Sequence, residues 1–187
     1  MTSKKQQAGV VLVGGLFFLM IMTLAGVALV KNIAMEEKIA SNYRQKVRSL
    51  EAAEVALKTA ARYLQKKPDV MKFYKQGKGG PPGMYVENPQ ASIHPWQTSE
   101  AWSADNSIAV DDDQYLPSSV RLRKKDLGYL HLKKSPRFMI GLAGERNLDG
   151  MDSGISQKFF VFNVTSRAQS GVETIGTTLQ ARVIQSL

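Results

Sequence analysis

The stretch that decides the fold is AGVVLVGGLFFLMIMTLAGVALV, residues 8–30. It contains 23 residues without a single charged side chain, and Thr23 carries its only hydroxyl. As a helix that rises 1.5 Å per residue, it would span about 34 Å, which is enough to cross the hydrocarbon core of a bilayer. The apolar run of a cleaved secretory signal is shorter, about 7 to 15 residues, and ends in a small-residue cleavage site. The stretch therefore predicts a membrane-spanning helix rather than an ordinary signal peptide.

The sequence after this stretch predicts that the helix continues to residue 67. Residues 27–67 contain no proline and no glycine, and strong helix formers predominate. Apolar side chains recur there at spacings of three, four and seven, which is typical of one helix face. These are Tyr43, Val47, Leu50, Leu57, Ala61 and Leu64. Residues 31–67 are thus predicted to form an amphipathic half of the helix that packs on a folded domain.

Charge limits the partners but does not fix the orientation in the membrane. Lys4 and Lys5 precede the apolar stretch, whereas five basic residues follow it closely, so a count of Lys and Arg would place the C-terminal side in the cytoplasm. The net charge of +9 favours anionic partners such as phospholipid, nucleic acid or an acidic subunit, and it selects none of them. The chain has no cysteine, so its fold does not depend on disulfides.

The remaining residues, 68–187, predict one globular head. Residues 68–118 are rich in proline and glycine and read as a loop-rich connection, without the spacing of a phosphate-binding loop. Residues 119–187 predict an antiparallel sheet: a hairpin over 120–134 and strands over 137–142, 158–166 and 173–184, with a loop at 144–157. A sheet that covers the amphipathic half of a long helix gives an α+β fold.

The N-terminus resembles that of type IV prepilins. KKQQAG, residues 4–9, resembles the end of a short basic leader with Lys4 and Lys5, and the apolar stretch follows at once. The resemblance implies that a prepilin peptidase cuts between Gly9 and Val10 and methylates the new amino group of Val10. It also implies the pilin fold, with the leader in the cytoplasm and the head across the inner membrane.

The stretch MEEKIASNYRQKVRSLEAAEVALKTA, residues 35–60, makes the resemblance specific to the PilX-type minor pilins. Residues 162–183 are similar to the C-terminal strands of that family, and the middle of the chain shows no likeness. The residues that match the helix motif of the family are Glu36, Glu37, Lys38, Ala40, Asn42, Arg44, Gln45, Glu51, Ala52, Ala53, Glu54, Ala56 and Leu57.

One position departs from most pilins. Five residues into the mature chain, where those proteins carry a glutamate that neutralises the amine of an adjacent subunit, this sequence has Gly14. An amine without a nearby carboxylate loses a partner inside an apolar filament. The resemblance is to pilins that also lack this glutamate. They are the PilX-like pilins and the K pseudopilin of type II secretion, both of which lie at or near a tip.

No pattern predicts catalysis. His94 and His131 are isolated, and the motifs of nucleophilic and zinc-dependent hydrolases do not occur. We therefore expect no enzyme activity and no cofactor.

Two acidic clusters could attract calcium, Asp111 to Asp113 and the loop with Glu145, Asn147, Asp149 and Asp152, but Ser156 stands where an EF-hand needs a bidentate carboxylate. Solvated loops are the preferred interpretation of both.

A basic stretch offers a possible contact with anions or DNA. Its residues are Arg121, Arg123, Lys124, Lys125, Lys133, Lys134 and Arg137, with Tyr129 between them. Lys and Arg bind phosphates and a tyrosine can stack on a base, but such runs are more often solvated faces or subunit contacts. Nucleic acid is therefore not the partner that we expect.

Together these observations predict a minor pilin that primes assembly and lies at or near the pilus tip. Residues 1–9 would be the leader, 10–30 the membrane and filament-core half of the helix, 31–67 the amphipathic half and 68–187 the head. The partners implied by the resemblance are other minor pilins, the major pilin, a tip adhesin, the prepilin peptidase and the inner membrane. The implied location is first the inner membrane and then the periplasm and the extracellular pilus. The alternatives are a K-like pseudopilin of type II secretion and a membrane-tethered DNA-binding pilin.

Overall fold

A computed structural model describes residues 4–66, 69, 72–73, 81–130, 132–148, 157–171 and 175–186. Its first element, the helix α1, spans Lys4–Gln65. The chain divides into two compact units, Met1–Arg44 and Gln45–Leu187. The first unit contains helix and no strand among its described residues, while the second contains the rest of α1 and the whole sheet. A long N-terminal helix and a sheet packed on its later part confirm the predicted α+β fold.

The end of α1 has a local cause. The Lys66 N–H donates to the carbonyl of Tyr63 at 3.1 Å, which tightens the last turn. Pro68 follows two residues later and disfavours helical backbone at the residue before it. The helix therefore stops at Gln65, two residues before the predicted end.

The sheet consists of five strands. They are β1 Met84–Val86, β2 Ile108–Ala109, β3 Arg137–Leu148, β4 Gln157–Gln169 and β5 Gly176–Ser186. The order is β1-β3-β4-β5, and β2 also pairs with β3. The three long strands are antiparallel, whereas β1 runs parallel to β3 with Met84 opposite Ile140. The sheet is therefore mixed, because one short strand from the loop-rich region joins it.

The predicted hairpin over residues 120–134 is wrong. Lys124–Leu130 forms a 3₁₀ helix, and the described residues of this segment contain no strand. The side chain of Asp126 accepts a hydrogen bond from the Arg123 N–H at 3.1 Å, which stabilises a tight turn. Val120 and Leu127 are buried in the core instead of pairing across strands. The apolar residues in 120–134 that suggested two paired strands include these core residues.

Two strands are longer than predicted. β3 extends to Leu148, so the first residues of the predicted loop 144–157 belong to the sheet. β4 begins at Gln157 and continues to Gln169. Residues 149–156 of that loop lie outside the described residues. The third strand, predicted over 173–184, is observed over Gly176–Ser186.

The core lies between the sheet and the second half of α1. Phe138, Ile140 and Phe162 are fully buried, and the ring of Phe162 lies 5.3 Å from that of Phe73. On the other face of the sheet, Met139 and Tyr85 form a smaller cluster with Ala101, against which Trp96 and Trp102 pack. The head thus buries both faces of its central strand β3.

Candidate functional site

The first half of α1 exposes its apolar side chains throughout. Every large apolar side chain from Val10 to Val30 is between 50 and 76% exposed. A helical window here has a mean hydropathy of 2.5, and this helix is long and apolar enough to cross a membrane. Fully burying one such side chain contributes about 1.5–3 kcal/mol. The segment therefore requires a lipid or protein environment to cover it.

Polar and small groups in this segment suit such an environment. The Thr23 hydroxyl donates to the carbonyl of Leu19, one turn earlier, so it does not need water as a partner. At Gly14, an added Cβ atom would meet nothing within 4 Å. The described structure of one subunit therefore leaves room for a glutamate at this position.

The predicted cleavage site lies on helical backbone. α1 begins at Lys4, so Gly9 and Val10 both belong to it. Val10 is 74% exposed, which leaves it open to contact with another protein. The side chains of Lys4 and Lys5 lie outside the described ones. Cleavage after Gly9 and methylation of Val10 stay predictions.

The family-motif residues divide into two groups. Glu36, Glu37, Asn42 and Arg44 of the first unit are exposed, as are Glu51 and Glu54 of the second unit. Ala52 and Ala53 are instead fully buried in the core of the head. The carboxylate of Glu54 lies 3.5 Å from the Lys58 ammonium on the surface of the helix. The motif thus combines a buried pair of alanines with an exposed charged face.

The buried helix face differs from the predicted apolar stripe. Tyr43 and Leu50 of that stripe are 69% and 39% exposed, and Val47, Leu57 and Ala61 are half-buried, so only Leu64 is fully buried. The fully or almost fully buried positions are mostly small: Ser49, Ala52, Ala53, Ala56, Thr59 and Ala60. Small side chains let the backbones of helix and sheet approach closely, which large ones would prevent. The repeat of alanines at spacings of three and four was the signal that could have identified this face.

Hydrogen bonds join this small-residue face to the sheet. The Ser166 hydroxyl of β4 donates to the Ala53 carbonyl of α1 at 2.8 Å, and both groups are buried. The hydroxyls of Ser49 and Thr177 share a buried hydrogen bond of 2.7 Å. The Lys46 ammonium donates to the carbonyl of Gly176 at 3.1 Å. Residues 46–53 of the helix are therefore an integral part of the head.

The first acidic cluster serves the local structure. Asp112 accepts hydrogen bonds from two backbone N–H groups, of Gln114 and Tyr115. Asp111 accepts one from the Ser135 hydroxyl at 2.8 Å, and Asp113 lies 3.9 Å from Arg121. Within the described ranges, no group of three acidic or histidine side chains converges to hold a metal ion.

The second cluster is only partly described. The Lys158 ammonium donates to the Glu145 carboxylate at 2.8 Å across the strands β3 and β4, and this hydrogen bond raises the pKa of Lys158. Asp149 and Asp152 lie outside the described residues, as does the side chain of Asn147.

The structure gathers only part of the basic stretch around one cavity. Arg121 pairs with Asp113, and Arg123 donates to Asp126 at 3.1 Å. The hydrogen bond from Arg123 lowers the pKa of Asp126, which keeps this pair ionised. Lys124, Lys133 and Lys134 instead line a shallow cavity of about 290 Å³ beside the 3₁₀ helix, and Lys125 is exposed. His131 lies outside the described residues, and so does the side chain of Tyr129.

The buried tyrosines of the head are structural. Burial raises the pKa of Tyr85, and the nearby charge of Glu87 adds to this effect. Burial also raises the pKa of Tyr63 on α1. Both phenols therefore stay protonated at neutral pH and contribute to packing.

The comparison with protein families finds one match. Residues 8–58 match the model described as PilX N-terminal, which is about a quarter of the chain. No curated protein and no solved structure matches the chain significantly. The matched range covers the exposed apolar stretch, the motif and most of the small-residue face. At the level of the family, this match supports a PilX-like minor pilin of the type IV pilus.

Proposed function

We propose that this minor pilin primes pilus assembly and lies at or near the pilus tip. PilX proteins are structural pilins, and membership of a pilin family implies contacts with other pilus components. The exposed helix of residues 10–30 would wait in the inner membrane after cleavage of residues 1–9 and then enter the helical bundle of the filament. The head would lie in the periplasm and later outside the cell.

The observation that carries the tip position is Gly14. The described subunit has room for a side chain there, yet no acidic residue occurs anywhere in residues 8–30. A subunit without this carboxylate cannot neutralise the amine of a neighbour in the apolar core of the filament, where an unpaired charge is costly. Such a subunit is poorly suited to repeat along the shaft, and an end position avoids the problem.

The proposed partners follow from this position. Other minor pilins and the major pilin would cover the exposed apolar helix, and the prepilin peptidase would act at Gly9 and Val10. The loop-rich region 81–118 is the surface that we propose for neighbouring minor pilins or a tip adhesin, because loops carry variable and exposed side chains.

The first experiment tests processing. Intact mass spectrometry of the membrane-extracted protein, with and without the prepilin peptidase, should show the loss of residues 1–9 and the gain of one methyl group only when the peptidase is present. An uncut chain, or a cut beyond Val30, would contradict the prepilin assignment.

The second experiment tests the tip position. Immunogold labelling of the wild type should decorate one end of each pilus, and the G14E variant should also label the shaft because it regains the missing carboxylate. The G14Q variant has nearly the same size without the charge and should behave like the wild type. Even labelling of the shaft by the wild type would refute the proposal.

Deletion of the gene separates the pilus from the pseudopilus. A minor pilin that primes pili predicts a loss of surface pili, whereas a K-like pseudopilin predicts a loss of secreted protein with normal piliation. The DNA-binding alternative gains no support from the basic stretch, since Arg121 and Arg123 are paired with acidic side chains.

A further inference from the structure

Two arginines lie directly opposite each other on the outer face of the sheet. Arg137 of β3 and Arg167 of β4 are register partners in the antiparallel pair. Like charges in directly opposed positions destabilise a sheet. The arrangement therefore works against the stability of the head unless negative charge lies beside the two side chains, and the carboxylates of Asp105, Asp111 and Asp112 supply such charge only on the side of Arg137.

A cavity opens beside this pair, and we call it the arginine pocket. It has a volume of about 280 Å³, and its lining includes Ser99, Trp102, Lys134, Ser135, Arg137 and Arg167. None of the residues that line it is acidic. The pocket therefore combines three cationic side chains with hydroxyl groups and one indole ring, which is a suitable lining for an anion.

The first arginine is held in a fixed position. Its Nε donates to the Ser107 hydroxyl at 2.6 Å, and one Nη donates to the Ser107 backbone carbonyl. These bonds use two of the five N–H groups of the guanidinium. Arg137 is half-buried, and burial lowers its pKa, while the charges of Asp112, Asp111 and Asp105 oppose this effect. A guanidinium stays protonated in proteins, so the pocket keeps this charge.

The second arginine has a different environment. The guanidinium carbon of Arg167 lies 5.8 Å from the centroid of the Trp102 ring, which is a cation–π contact. The indole is itself fixed, because its N–H donates to the carbonyl of Trp96 at 3.0 Å. Among the described residues, no carboxylate forms an ion pair with Arg167. Its charge is therefore positioned by an aromatic surface and not paired with a carboxylate of the described residues.

We propose that the arginine pocket binds a small molecule or group that carries a phosphate dianion. Two guanidinium groups that line one pocket can be neutralised together by a dianion, whereas a single carboxylate leaves a net positive charge. Guanidinium forks also match the oxygens of phosphate in pairs. The volume exceeds that of phosphate alone and suits a small phosphate monoester. This site is independent of the proposed role in the pilus, and its failure would leave that role intact.

The test is a titration of the full-length protein in detergent with inorganic phosphate at constant ionic strength, followed by tryptophan fluorescence. The wild type should show a saturable change, because Trp102 contacts Arg167 directly. The R167Q variant should bind about tenfold more weakly or worse, which corresponds to the loss of one charged hydrogen bond. R167K keeps the charge but loses the planar fork, and it should fall between the two.

The matched control is R182Q. Arg182 is an exposed strand arginine on β5 that donates to Asn163 at 3.1 Å and does not line the arginine pocket. This variant should bind phosphate like the wild type. Equal weakening in R182Q and R167Q would mean diffuse attraction to a basic protein and would overturn the proposal.

Two further ligands test which class of anion the arginine pocket binds. Acetate at the same ionic strength should bind at least about tenfold more weakly than phosphate, since it carries one charge. Glycerol 3-phosphate should bind at least as tightly as inorganic phosphate if the pocket takes a monoester. The absence of any saturable phosphate effect in the wild type, or equal binding of acetate, would refute the phosphate assignment. Thermal unfolding of each variant without ligand confirms that the head is folded.

Discussion

The two halves of one helix bury opposite kinds of side chain. Between residues 10 and 30, the large apolar side chains are all at least half exposed, while in the second unit the fully buried helix positions are mainly alanine, serine and threonine. Large apolar side chains thus mark the part of the helix that must leave water. Small side chains mark the part whose backbone lies close to the sheet. Among the described residues, nothing covers the large apolar side chains of residues 10–30. The small side chains of the later part of the helix are covered by the sheet of the same chain.

The largest expected loss of stability comes from a cavity in the core of the head. F162A removes a fully buried ring that packs on Phe73 and should lower the free energy of unfolding by about 3–5 kcal/mol. Thermal unfolding in detergent, followed by near-UV circular dichroism, measures the effect. The helix of residues 10–30 does not depend on this core, so membrane association should persist. I184A, at a 62% exposed position of β5, is the control and should change little.

A charge in the middle of the apolar half should weaken membrane insertion and leave the head folded. M20K places an ammonium at a position that would lie near the bilayer centre, which costs about 2.5–3.5 kcal/mol of insertion. Extraction with alkaline carbonate should release more of this variant than of M20L, while the near-UV spectrum of the head stays unchanged. An M20K protein that resists extraction as well as M20L does would argue against a membrane span.

Overpacking the small-residue face sharpens the comparison with a smaller effect. A56L forces a larger side chain into a fully buried helix position and should destabilise the head by about 1–3 kcal/mol. Urea unfolding measures this difference. E51A, on the exposed face of the same helix, should stay within about 0.5 kcal/mol of the wild type. If A56L were as stable as E51A, the close approach of helix and sheet would not be required.

The sequence predicted the features that depend on long, regular patterns. The uninterrupted helix formers between residues 27 and 67 predicted α1 to within two residues of its end, and the three long strands were predicted at their places, with β3 six residues too short. The apolar stretch and the motif predicted the family, and the match over residues 8–58 confirms it.

The sequence did not predict contacts made by short or small elements. β1 and β2 contain three and two residues, too few to show a period, and they become strands only because β3 offers them hydrogen bonds. The alanines of α1 favour a helix in any environment, so their repeat indicates a face of small residues but does not identify the sheet that covers it. The pairing of Arg137 with Arg167 depends on strand register, which joins residues thirty positions apart.

The hydrogen bonds between α1 and the last two strands have a consequence for folding. Ser49 bonds to Thr177, and Lys46 bonds to Gly176, at sequence separations of 128 and 130 residues. Contacts between distant parts of a chain slow folding, because a large loop must close before they form. The head therefore cannot be completed until β5 has been synthesised, and a nascent chain that stops short of residue 176 would lack the hydrogen bonds that join Ser49 and Lys46 to the sheet.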